Sequence, residues 1–410
     1  MARGYNRLPL AAALLAAASS ANAGISIPAG DWTLDIGGVV NAFYTSTKTP
    51  GSSASSNIGT GLLPNVLAVG GTTRQNDLDV SFLIALDPGG YSKNSLSGGS
   101  AAENRQAFFT FGDKSWGTVK IGKDLGIFAS DAILNDMTLL GVGWAAPGQA
   151  GSGGGTVGAG TTTLGGIGAG YLYADWKQQI AYTTPNMNGL QATVAVTQAY
   201  NATAATLLLN NIAITSGVTG KTGGSEPAFE AKASYDFSAD AVKGKVWVSG
   251  LTQKIQGGGT NGLASPNLVT YVTTSQTGNV ADIGASVNAA GFGLTGYYYA
   301  GSGVGTTGVM DAALSTTGAK RDSNGGYIQG TYVLPTATKL GVAWGESVLD
   351  AAATGDTGFT GYKNERWTVG AYHPLTKHVN LVAEYNNDKV TTNGVTATTN
   401  TVALGGILFF

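Results

Sequence analysis

From Trp176 to the end of the chain, apolar side chains recur at every second position. Ile180 and Tyr182 interleave with Gln179, Ala181 and Thr183. Leu340, Val342 and Trp344 alternate with Gly341, Ala343 and Gly345, and Trp367 and Val369 with Thr368 and Gly370. Leu381, Ala383 and Tyr385 alternate in the same way with Val382 and Glu384. Period two predicts strands with one greasy face. Further strands are expected in "AFEAKASYDF", "KGKVWVSGLTQK" and "VADIGASVNAAGFGLTGYYYAG". The chain ends on "TVALGGILFF", where Val402, Leu404, Leu408 and Phe410 share one face and no residue is charged. Soluble domains usually fray into polar residues at a terminus, so this greasy face needs a partner.

The connections say which partner. One end of each strand pair carries a short turn, such as Ser238-Ala239-Asp240 or Ala290-Gly291. The other end carries long Gly/Thr-rich segments, among them 201–225, 257–267 and 303–322. That asymmetry is the layout of an outer-membrane barrel, and segments of about ten residues suit tilted membrane-spanning strands. A soluble β-sandwich shares the strand pattern, but the layout favours an all-β transmembrane antiparallel barrel. Its last strand then faces lipid and pairs with the first, placed at 32–45, because hydrocarbon offers nothing to unpaired backbone groups. About fifteen strands are legible. Bacterial barrels have even numbers, so sixteen are expected, one of them hidden in the poorly patterned stretch 61–86, with fourteen and eighteen as alternatives.

Composition narrows the class. Arg3 and Arg7 precede the uncharged stretch 8–18, and Ala21-Asn22-Ala23 follows, which is the order of a signal peptide. Residues 1–23 are therefore expected to be removed, leaving one barrel domain over 24–410 and taking the formal charge from −2 to −4. There is no cysteine, which excludes disulfides and thiolate chemistry. The mild acidity argues against nucleic acid as a partner.

Three segments then resemble the general trimeric porins of Gram-negative outer membranes. They are "NRQAFFTFGDKSWGTVKIGK", "KQQIAYTTPNMNGLQATVAVTQAY" and "YHPLTKHVNLVAEYNN". The terminal Phe410 is similar to that family's assembly signal. The resemblance implies a homotrimer in outer-membrane lipid, with a long loop folded into each barrel as a constriction. Segment 123–172 sits where that loop belongs. Asp136 matches the loop's first acidic position, while an apolar residue near Leu140 stands at the next, weakening the expected transverse field. Asp131 and Asp124 lie nearby. Arg74, Arg105 and Lys177 fall near the family's basic wall positions.

Parity tests these carry-overs, because alternate residues face opposite sides of a strand. Lys177 shares its face with Gln179, Ala181 and Thr183, which is consistent with the lumen. Arg105 shares parity with Phe109 and Phe111, and Arg74 with Leu78, Val80 and Phe82. A lumenal position for either needs a bulge or a strand end; otherwise they lie at the membrane rim.

The expected function is passive diffusion of small hydrophilic solutes and ions through a water-filled constriction, with weak anion preference and no cofactor. A substrate-selective channel for sugars or small anions, and a non-conducting barrel acting as a surface or anchor protein, are the alternatives. Chemistry of other kinds is not marked. Gly153–Gly158 matches a dinucleotide-binding glycine spacing only outside the strand–helix context that gives it meaning. His373 and His378 flank a turn and read as turn residues, not metal ligands, and no serine is marked as a catalytic nucleophile. Tyr297-Tyr298-Tyr299 reads as an interfacial girdle with Tyr298 outward.

Overall fold

A computed structural model describes residues 24–88, 102–145, 162–200, 226–255, 275–310, 312–315, 318–356 and 358–410. The signal-peptide expectation on 1–23 and the glycine motif at 153–158 lie outside the described residues.

The strands are β1 (Ile25–Ala29), β2 (Trp32–Lys48), β3 (Ser55–Gly59), β4 (Val66–Gln75), β5 (Leu78–Pro88) and β6 (Ala102–Asp113). They continue as β7 (Gly117–Leu125), β8 (Trp176–Thr183), β9 (Leu190–Thr197), β10 (Ala228–Ala239), β11 (Val242–Ile255) and β12 (Gln276–Ala289). The remainder are β13 (Phe292–Ser302), β14 (Asp322–Val333), β15 (Lys339–Leu349), β16 (Tyr362–Pro374), β17 (Val379–Thr392) and β18 (Val395–Phe409). Sequential neighbours from β4 onward pair antiparallel, and β18 returns to β2 with Phe409 opposite Val39. The result is a closed barrel of sixteen columns. β1 and β3 add none. β1 continues the line of β18 along the lower half of β2, and β3 with β4 forms a single column beside β2.

Alternation sorts side chains as the sequence predicts. Val402, Leu404, Ile283, Val342 and Val369 point outward, while Thr401, Ala403, Thr368 and Asn386 are covered on the inner side. Closure is tight at the end of the chain. Phe410 exchanges two backbone hydrogen bonds with Gly38, at 2.8 and 3.1 Å. Its ring lies where a β-carbon on Gly38 would collide with it, so only glycine allows the seam to close.

The inner face departs from a uniformly small, polar lining. Trp247, Leu251, Val280, Tyr297, Tyr299 and Tyr327 make an apolar inner wall on β11–β14. Residues 126–145 and 162–175 cover it with Phe128, Ile133, Ile167, Tyr171 and Leu172. A second loop, between β13 and β14, adds Val304, Val309, Met310 and Leu314. Each large side chain buried here stabilises the inward fold by roughly 1.5–3 kcal/mol. Tyr298 does point outward, as expected. Tyr297 and Tyr299 point inward and serve as the seat of the loops rather than as part of a girdle.

Candidate functional site: the constriction

The segment leaving β7 turns inward at once, because its first amides find an acceptor on the wall. Glu230 of β10 accepts from Ile127 N at 2.7 Å and Phe128 N at 2.8 Å. A short helix, α1 (Ser130–Asn135), follows, then a 3₁₀ turn at Met137–Leu140. The wall holds both. Tyr327 donates to Ala132 O at 2.9 Å, and Gln329 accepts from Met137 N at 2.9 Å and donates to Asn135 O at 2.6 Å. Glu384 of β17 then accepts from Val142 N at 3.0 Å and Gly143 N at 2.8 Å. The returning arm pairs with this one through Trp144 and Leu164, and Asn364 donates to Gly168 O at 2.8 Å. The segment is thus fixed to the wall from β10 to β17.

The expected site residues do not converge. Asp136 caps the 3₁₀ turn through Thr138 and binds Gly166 N and Tyr171 Oη, each at 2.8 Å. Its nearest cation is Arg366 of β16, at 3.9 Å. It braces the loop internally and is not set against the three expected bases.

Lys177 faces inward as parity predicts, yet it is only 5 % exposed and is ion-paired with Glu230. Its ammonium lies 4.1 Å from the centre of the Tyr200 ring. Asp124 sits on the inner face of β7, paired with Lys120 and accepting from Gln106 at 2.9 Å. Arg105 turns inward because β6 carries an extra residue there: Ala85 opposes Gln106 and Leu86 opposes Asn104, leaving Arg105 in the bulge. It pairs with Asp87 at 3.1 Å and Glu103 at 2.9 Å.

Arg74 requires a correction. Parity counted along the chain does not survive a two-residue turn, where Gln75 opposes Leu78 and Arg74 opposes Asp79. Arg74 therefore shares its face with Thr72 and Asp79 rather than with Leu78. It is 47 % exposed at the short-turn end, bonded to Asp79 at 2.7 Å and Asp113 at 3.2 Å. This is the mouth of the barrel, away from the constriction segment.

Asp131 meets charges that sequence reasoning passed over. Lys232 of β10 approaches it at 2.7 Å and Lys245 of β11 also pairs with it. Burial alone would raise the Asp131 carboxyl, but these two lysines outweigh burial and hold it below the ordinary carboxylate value. The signal was present in "EAK" and "KGK": charges at alternate positions of otherwise neutral strands share the inner face. Glu230, Glu384 and Arg366 carry the same parity signal. What was missing was their distance along the chain from the loop they hold.

A closed barrel with apolar exterior, short turns at one end and a loop bound across its interior is a membrane channel. The sequence model of the Gram-negative porin family matches residues 10–393, and the chain belongs to that family. It is an outer-membrane porin, a channel for passive diffusion. Among solved structures it is similar to the outer-membrane channel DcaP of Acinetobacter baumannii, with 16% identity and TM-score 0.63 over 95% of this chain and 100% of that one. It is also similar to OmpF of Salmonella typhi in complex with daunomycin, with 13% identity and TM-score 0.59 over 94% and 100%. The trimer form of OmpT from Vibrio cholerae gives 14% and 0.54 over 92% and 99%. No curated protein matches the chain.

Proposed function

We propose that this porin is a homotrimeric general-diffusion channel with weak anion preference, exported by removal of residues 1–23. The observation that carries the selectivity is the cluster on β10–β12. Its acids, Asp131 and Asp282, are buried, whereas the side chains of Lys232 and Lys245 keep 21% and 27% exposure. A permeating ion meets the lysines before it meets the acids. Screening at working salt keeps their effect modest. The trimer rests on the family and on its trimeric relative.

The test is a planar-bilayer recording of the purified, heat-modifiable oligomer in a potassium chloride gradient. Open steps closing in threes and a reversal potential of anion sign are expected. A folded trimer that stays silent would sink the diffusion reading and favour the non-conducting alternative. Two inward loops and an apolar inner wall favour the substrate-selective alternative, which a strong size or solute discrimination in the same preparation would establish.

A further inference from the structure

One column of the wall is interrupted. β3 runs down beside β2 as far as Gly59, opposite Phe43, and the ladder resumes only at Val66, opposite Val39. Between them residues 60–65 leave the wall and enter the lumen. Irregular backbone at membrane depth is tolerated only where protein or a water-filled cavity satisfies its polar groups. Here both partners are identifiable. Asn41, on the inner face of β2, accepts from Gly61 N at 2.9 Å and donates to Leu63 O and Pro64 O at 3.1 and 3.2 Å. Its own amide donates to Asn65 Oδ1 at 2.7 Å. The constriction segment supplies the rest: Leu62 N donates to Gly141 O at 2.8 Å, and Thr163 N to Gly61 O at 3.0 Å. Leu62 packs where a β-carbon on Gly165 would stand, so both arms of the loop meet this excursion.

We propose that residues 60–65 form a latch that, beside the Glu384 clamp, holds the far side of the constriction segment and sets the width of the pore, with Asn41 as its positioning residue. A barrel gains nothing from breaking its ladder at this depth unless the freed groups are used. Here they grip the loop at Gly141 and Thr163, on the side of the lumen opposite its root at Glu230. The inference rests on the channel function alone and not on the sign of its selectivity.

The chain has no cysteine, so Leu63→Cys, at a buried position of the excursion, gives a single thiol for a membrane-impermeant maleimide. Slow labelling is expected in the otherwise native barrel, and labelling at least tenfold faster when Asn41→Ala is added. Asn41→Ala alone should keep the heat-modifiable fold while raising open-channel noise and admitting larger sugars in liposome swelling. Asn41→Asp, which keeps the acceptor for Gly61 but loses the donor to Leu63 and Pro64, should fall between. Equal labelling, noise and size cutoff in native and Asn41→Ala channels would overturn the latch. If Asn41→Ala does not fold, Leu62→Ala decides, since it leaves the wall untouched: unchanged noise and cutoff there also overturn it.

Discussion

The two ends of the inward segment are held by the same device in different surroundings. At the root, Glu230 takes two consecutive amides, Ile127 and Phe128; at the far side, Glu384 takes Val142 and Gly143. In each case one carboxylate oxygen receives both amides and the other faces the wall. There the likeness stops. The second oxygen of Glu230 meets the buried ammonium of Lys177 and the Thr197 hydroxyl, whereas that of Glu384 meets the neutral Tyr372 hydroxyl at 2.7 Å. Space differs as well. A β-carbon on Gly141 would collide with the Glu384 carboxylate, and Gly143 adopts φ +57°, so the "GVG" at 141–143 is what admits this clamp. Two amides can be gripped by an ion pair or by a polar network. The first makes the grip dependent on charge balance, the second on geometry.

The sharpest way to break the likeness is to neutralise each acid without shortening it. Glu230→Gln keeps an acceptor but strands Lys177 in a buried site. The expected loss is about 3–5 kcal/mol, the usual cost of breaking a buried pair from one side. It would be read as a lower temperature for loss of the fast-migrating folded form. Adding Lys177→Met to Glu230→Gln should recover most of that loss, because removing both charges together is often neutral. Lys177→Glu would place two carboxylates together and report on folding, not on the pore. At the other clamp, Glu384→Ala leaves two buried amides without acceptors and should cost about 2–3 kcal/mol. Glu384→Gln should cost about 1 kcal/mol, since Gln still accepts from both amides and, among the described residues, no ion pair within 4 Å is broken. Equal losses for the two Gln variants would show that Lys177 is not what distinguishes the clamps.

What sequence could show follows from the range of each interaction. The wall is written locally. Period-two alternation and short turns made most strands legible, including the pairing of the last with the first. The stretch 61–86 read as poorly patterned because its column leaves the wall at residues 60–65, where inward and outward lose their meaning. Arg105 could be placed only through a bulge, which no composition marks. Arg74 was misread because the parity count was carried through a turn. The clamps were hidden for another reason: Glu230 lies 102 residues from Phe128, and Glu384 lies 242 from Val142. Their inward parity could be read, but not which loop they would hold.

A smaller effect separates the charges of the two regions. Asp136 is spent inside the loop, so its neutral variant should leave ion selectivity little changed, whereas Asp131 offsets two partly exposed lysines. Lys245→Gln should move the reversal potential toward cations and Asp131→Asn toward anions. The permeability ratio should change by about twofold in each case, as fits one screened charge near a watery path. The pH dependence follows from the same contact. Because its lysines hold the Asp131 carboxyl below the ordinary 3.8, the stability of this contact is fully present above that value. It is lost as the pH falls below it, toward the lower value in the folded barrel. Between pH 7 and about 5, then, the difference in selectivity between the native channel and Asp131→Asn should stay constant. A difference that shrinks already between about pH 5 and 4, where an ordinary aspartate begins to protonate, would mean that the lysines of β10 and β11 do not hold Asp131 in the working channel.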